Sequence, residues 1–232
     1  MQSFISFFVQ KVTDEWGVSY TPTKFGIFTF LVILILLLLF ACYFSNSDKH
    51  FHTKQLIISA MAMALAFVTS LIKIIDMPMG GSVTLFSMLF ICLIGYWFGL
   101  QAGLCTAIAY GFLQLICDPY IISFPQMLID YIFAFGALGL SGLFHDKKHG
   151  CILGYTVAVL GRYFFAVLSG IVFFGSSASA YNMSAFVYSI VYNGAYIGLE
   201  YVLTIIVLQI PAVKKALVSV KNLASYDTKQ TN

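Results

Sequence analysis

Long apolar runs broken by short polar stretches set the pattern of this chain. The most hydrophobic run, "KFGIFTFLVILILLLLFACYFS", carries no charge between Lys24 and Asp48. A run of about 20 apolar residues spans the hydrocarbon core of a bilayer, so this one predicts a transmembrane helix over 25–45. It is too long, and its polar lead-in too long, for a cleaved signal peptide. After the polar hinge "SNSDKHFHTK", six further apolar runs cover about 55–75, 83–98, 100–117, 122–144, 151–174 and 185–210. None shows the period-two alternation of an outer-membrane barrel. Residues 1–24 are mixed, and "SFISFFVQKVTDEWG" fits a short interfacial helix anchored by Phe4, Phe7, Phe8 and Trp16. The chain therefore reads as an all-α integral membrane protein. It has an N-terminal polar segment (1–24), an additional transmembrane helix (25–45), a six-helix membrane domain (55–210) and a cytoplasmic tail (211–232).

Composition agrees: 60% of the residues are hydrophobic, 9% are charged and the mean hydropathy is +0.93, whereas a soluble domain carries about 25% charged residues. The net charge of +3 is too small for a nucleic-acid footprint, but its distribution sets a topology. Lys49 and Lys54 precede the first of the six spans, Lys147 and Lys148 separate the fourth and fifth, and Lys214, Lys215, Lys221 and Lys229 follow the sixth. Alternating spans put all three groups on one side, which the positive-inside rule makes cytoplasmic. The C-terminus is then cytoplasmic and the N-terminus outside. Cys42, Cys92, Cys105, Cys117 and Cys151 are scattered without a CxxC and read as small buried hydrophobes. No metal or cofactor is expected.

Catalysis finds little support. "GLSG" (139–142) matches the G-x-S-G pattern of rhomboid-type serine proteases, but all four histidines fall in polar loops, so the serine lacks a base. These glycines read as helix packing. No Walker motif is present, so the chain does not hydrolyse ATP itself.

Charges inside spans are costly unless paired, hydrated or functional, which singles out Asp130, Arg162 and Glu200. Asp130 has two readings. It is tied to Arg162 or protonated against a neighbouring helix, or it lines an outward-facing cavity with Tyr131, Tyr120, Tyr188 and Asn193. Arg162 either pairs with Glu200 or caps backbone carbonyls, and the pair would leave Asp130 for a ligand. Asn193 and Glu200, seven residues apart, share a helix face. The alanines at 60, 62, 64 and 66 either pack internally or form a flat docking face. "MPMGGSVTLFSM" (77–88) breaks the helix with Pro78, Gly80 and Gly81 and is either a lid or a plain connector.

Three segments together, "MPMGGSVTLFSM", "YGFLQLICDPYIISFPQMLIDYIFAFGALGLSGLF" and "GRYFFAVLSGIVFFG…YSIVYNG", resemble the thiamine-specific substrate-binding (S) component of energy-coupling factor (ECF) transporters. The resemblance covers about 55–210. It implies a six-helix S-component core, with the helix at 25–45 as an addition. It implies high-affinity capture of thiamine from outside, under the loop joining the first two spans, and ATP-driven uptake with a transmembrane coupling subunit and two cytoplasmic ATPase subunits. The family's binding residues fall on Asp130, Tyr131, Tyr120, Tyr188, Asn193 and, in the third span, Tyr110. The docking alanines fall on Ala60 and Ala64. Two positions depart: the family's His is Ala166 here, and its ligand-stacking Trp is Phe174, which can still stack. Another heterocyclic vitamin or a thiamine precursor therefore remains an alternative ligand, and a stand-alone secondary transporter an alternative mechanism.

Overall fold

A computed structural model describes residues 53–179 and 181–225, together with 7, 9–14, 17–26, 28–29 and 32 of the N-terminal region. Most of the additional helix expected over 25–45 lies outside the described residues. Its first turn is described: the Thr23 hydroxyl accepts from Gly26 N at 3.1 Å, a side-chain cap at the helix start. The interfacial helix expected before it is corrected. β1 (Val9–Asp14) and β2 (Gly17–Pro22) pair as an antiparallel hairpin, with Asp14 opposite Gly17. Val9, Val12, Thr13, Val18 and Thr21 favour extended backbone there.

Among the described residues, six apolar helices form the body. They are α1 (Thr53–Ser70), α2 (Ser87–Phe98), α3 (Leu100–Cys117), α4 (Phe124–Phe144), α5 (Gly150–Phe173) and α6 (Ala185–Gln209). Five are long and apolar enough to cross a membrane; α2, with 12 residues, is shorter. Polarity is inverted relative to a soluble protein. Leu160, Phe164 and Val172 face outward, while Gln126, Asn193, Glu200 and Thr204 are buried. Only a bilayer rewards that arrangement.

α1 ends at Ser70, earlier than the apolar run. The run continues as β3 (Lys73–Asp76), which pairs with β4 (Ser82–Thr84) across a tight turn at Pro78–Gly80. β-branched Ile74 and Ile75 followed by Pro78 explain the switch.

α2 is apolar on all sides and lies inside, with Met88, Ile91 and Ile94 fully buried. α4 is continuous but changes pitch. It opens as α-helix, widens to π-helical turns over Leu128–Phe133 and tightens to 3₁₀ over Ala137–Phe144. The tight half packs on α2, α3 and α5. A Cβ on Gly139 would stand 2.5 Å from Leu104 N, so only glycine admits the α3 backbone there. Ser141, between the glycines, is buried and donates to the Cys92 carbonyl at 2.8 Å. Its hydroxyl serves packing, as the glycine spacing implied.

α7 (Pro211–Ser225) follows α6 after a bend at Ile210 and Pro211 and lies back along the bundle. Val213, Leu217 and Val220 pack on the core, and Trp97 Nε1 donates to Leu217 O at 3.2 Å. This part of the tail is a docked helix.

Candidate functional site

The helices leave a cavity of about 140 Å³ at the end of the bundle that carries the β3–β4 hairpin. All seven residues singled out for binding line it: Asp130, Tyr131, Tyr120, Tyr188, Asn193, Phe174 and Tyr110.

Asp130 stands in the π-helical stretch of α4. Such wide turns recur at functional sites because they re-aim side chains out of helical register. One carboxylate oxygen takes Gln126 Nε2 at 2.6 Å. Gln126 is itself buried. It donates to Tyr120 O at 3.0 Å, and its Oε1 accepts from Ile122 N at 2.9 Å. The Ser123 cap precedes it by three residues, so the S-x-x-Q pattern is a variant of the capping box. Gln126 thus couples the start of α4 to the carboxylate.

No ion pair within 4 Å joins Arg162 to Asp130 or to Glu200 among the described residues. The Arg162–Glu200 pairing is therefore corrected. Arg162 instead lies over the Phe135 ring, 4.2 Å from Cζ to the centroid, a contact that satisfies a guanidinium face without neutralising it. Glu200 turns to the start of α2. It accepts from Thr84 Oγ1 (2.7 Å), Ser87 Oγ (3.3 Å) and Met88 N (3.1 Å). A carboxylate at a helix N-terminus meets free N–H groups and the positive end of the dipole, and these replace the counter-cation.

Aromatic rings form the walls. Tyr120 and Phe174 stack at the mouth, with centroids 6.0 Å apart and planes at 23°. Tyr181, Tyr188 and Tyr192 stack in sequence, and Tyr196 meets Tyr192 edge-on. Tyr188, Tyr192 and Tyr196 recur every four residues on one face of α6. That spacing was readable, yet only Tyr188 was selected from it. Tyr110 is fully buried and bonds Ala66 O (3.2 Å) and Gln114 Nε2 (2.6 Å). The Tyr131 hydroxyl donates to Asp118 O (2.9 Å) and accepts from Tyr120 N (2.7 Å). Its polar end is spent on the α3–α4 loop, leaving its ring for the cavity. Asn193 Nδ2 donates to Ser189 O (2.9 Å) and Ala166 O (3.3 Å), and its Oδ1 accepts from Tyr196 (2.9 Å). The Ser189 hydroxyl, also on the wall, is buried without a partner.

The β3–β4 hairpin roofs this space. The Tyr192 hydroxyl donates to Pro78 O and accepts from Gly81 N at 3.0 Å. Gly80, at φ +86°, adopts a conformation that other residues rarely take, and a Cβ there would stand 3.1 Å from Tyr120 Cβ. Lys73 pairs with Asp118 at 2.9 Å and Asp76 at 3.6 Å, tying the hairpin to the α3–α4 loop. Partial burial works against its ammonium, but the Asp118 and Asp76 carboxylates outweigh that and hold its pKa above the ordinary lysine value.

The family described as Thiamine transporter protein (Thia_YuaJ) matches residues 56–219, most of the chain and the whole of this cavity. The chain belongs to that family. A curated relative, "Thiamine transporter ThiT" of Bacillus subtilis (strain 168), is 34% identical over 166 residues, covering 66% of this chain and 84% of its own. The fold resembles a solved structure of ThiT from Listeria monocytogenes at a TM-score of 0.52. The two are 24% identical, and the match covers 76% of this chain and 93% of the other. Membership of a transporter family, together with the five apolar helices of membrane-crossing length among the described residues, makes this chain a multi-pass membrane protein.

Proposed function

We propose that this chain captures thiamine, or a close heterocyclic relative, from outside the cell and serves as the substrate-binding subunit of an ATP-driven ECF transporter. The observation that carries the reading is Asp130: a carboxylate set in an aromatic cavity, oriented by Gln126 and without a cationic partner within 4 Å among the described residues. A ligand with an amino-substituted ring fits this cavity: the amino group donates to Asp130, and the flat rings lie against Tyr120, Phe174 and Tyr188. Phe174 supplies the stacking face that a Trp gives in the resemblance. Ser189 offers a buried hydroxyl with no partner of its own. Tyr131 and Asn193 act largely by position, since their polar atoms already hold the loop and the α5–α6 contact.

Ala60 and Ala64 support the coupling half of the reading. Both are exposed on α1, the least buried of the long helices, while Ala62 and Ala66 point into the core. The alanine row thus serves both of its uses, internal packing on one side and a flat outer strip on the other. The test is uptake of labelled thiamine into proteoliposomes. Accumulation should require ATP, a coupling subunit and both ATPases. Accumulation by the isolated chain down an ion gradient would instead make it a secondary transporter.

A further inference from the structure

The end of the bundle opposite the vitamin cavity carries a second hollow, of about 130 Å³. It lies among the end of α2, the start of α5, the end of α6 and the docked α7. Tyr96, Ile152, Leu208 and Leu217 make an apolar wall, and Lys148 and Lys214 make a cationic rim beside His149.

The lysines of this end divide into two groups. Lys54 and Lys221 hold α7 in place: Lys54 donates to Leu223 O at 2.6 Å, and Lys221 donates to His145 O while lying 4.3 Å over the Tyr96 ring. The side chains of Lys148 and Lys214 have no hydrogen bond or ion pair among the described residues, although they share the rim. Asp146, the acid nearest in sequence, is engaged with His145 at 3.3 Å. α7 also exposes Val218 and Leu223 beside its lysines, as an interfacial helix does.

We propose that this hollow binds one anionic glycerophospholipid of the adjacent leaflet. Lys148 and Lys214 pair with its phosphate, and the glycerol and first acyl carbons lie on Leu208, Leu217 and Val218. Charge complementarity selects the anion, and the apolar wall selects a lipid over a free phosphate, for which that wall would be of no use. This site is independent of the vitamin reading.

The test uses native mass spectrometry and thermal unfolding of the full chain in nanodiscs of dioleoylphosphatidylcholine with or without dioleoylphosphatidylglycerol. One retained phosphatidylglycerol and a raised unfolding temperature are expected. The Lys148→Gln/Lys214→Gln pair should weaken retention about fivefold per lysine, hence about 25-fold. The control pair Lys147→Gln/Lys215→Gln removes the same charge outside the hollow and should cost at most about threefold. Unfolding in phosphatidylcholine alone reports whether each variant folds. Val218→Glu, which places a negative charge in the hollow, should also expel the lipid and decides the matter if the lysine pair fails to fold. Equal losses for the two lysine pairs would reduce the effect to diffuse surface attraction and overturn the proposal. Displacement by millimolar glycerol 3-phosphate would overturn the lipid as occupant.

Discussion

At the residue scale, the roof depends on Tyr192, which bonds both Pro78 O and Gly81 N. Tyr192→Phe removes both bonds and keeps the stacked ring. At about 1 kcal/mol for each typical hydrogen bond, ligand dissociation should quicken by roughly five- to thirtyfold, read by stopped-flow chase, with little change in the association rate. Glu200→Ala should act on stability. It strands Met88 N in the interior and leaves the Thr84 and Ser87 hydroxyls only each other as partners, a loss of about 1–3 kcal/mol, visible as a lower unfolding temperature in detergent. The sequence marked Asp130, Arg162 and Glu200 because a charge in an apolar run is conspicuous. It did not reveal their partners. Glu200 found a helix start that is invisible until β4 and α2 are in place, and Arg162 found a ring. Gln126 went unselected because an uncharged amide near a span end carries little cost, although its S-x-x-Q setting was a usable signal.

At the element scale, apolar run length located the helices well, since the bilayer fixes that length physically. Run length did not say where a run changes geometry. Residues 73–76 are as apolar as a helix end, yet they pair as a strand because the roof offers them a partner. The widening and tightening of α4 left no mark in hydropathy either, because pitch follows from packing against α2, α3 and α5. Two glycines separate packing from propensity. Gly139→Val places side-chain atoms on the α3 backbone and should destabilise by about 1–3 kcal/mol or more. Gly198→Ala meets nothing within 4 Å and should be neutral or stabilising by up to about 1 kcal/mol, as helix propensity dictates. Thermal unfolding of the two variants side by side checks the contrast.

At the scale of the whole molecule, one end holds the aromatic cavity, the other holds the basic rim, and α1 offers a nearly bare flank between them. On the proposed reading, transport needs the flank as well as the cavity. Ala64→Trp should leave thiamine affinity within about twofold, as for a surface change remote from the cavity, while reducing ATP-dependent uptake by the assembled transporter in proteoliposomes. The membrane character and the all-α class were legible, because composition and apolar run length both follow from the bilayer as solvent. The cavity was legible only as a set of residues. Its roof and its charge arrangement come from tertiary contacts that no local pattern encodes. The central claim is that Asp130 receives the ligand, and isothermal titration of thiamine into the purified chain and into Asp130→Ala tests it most directly. One-to-one binding that weakens by about ten- to a hundredfold in the variant is the predicted result; equal affinity in the two proteins, or no heat from thiamine with either, would contradict it.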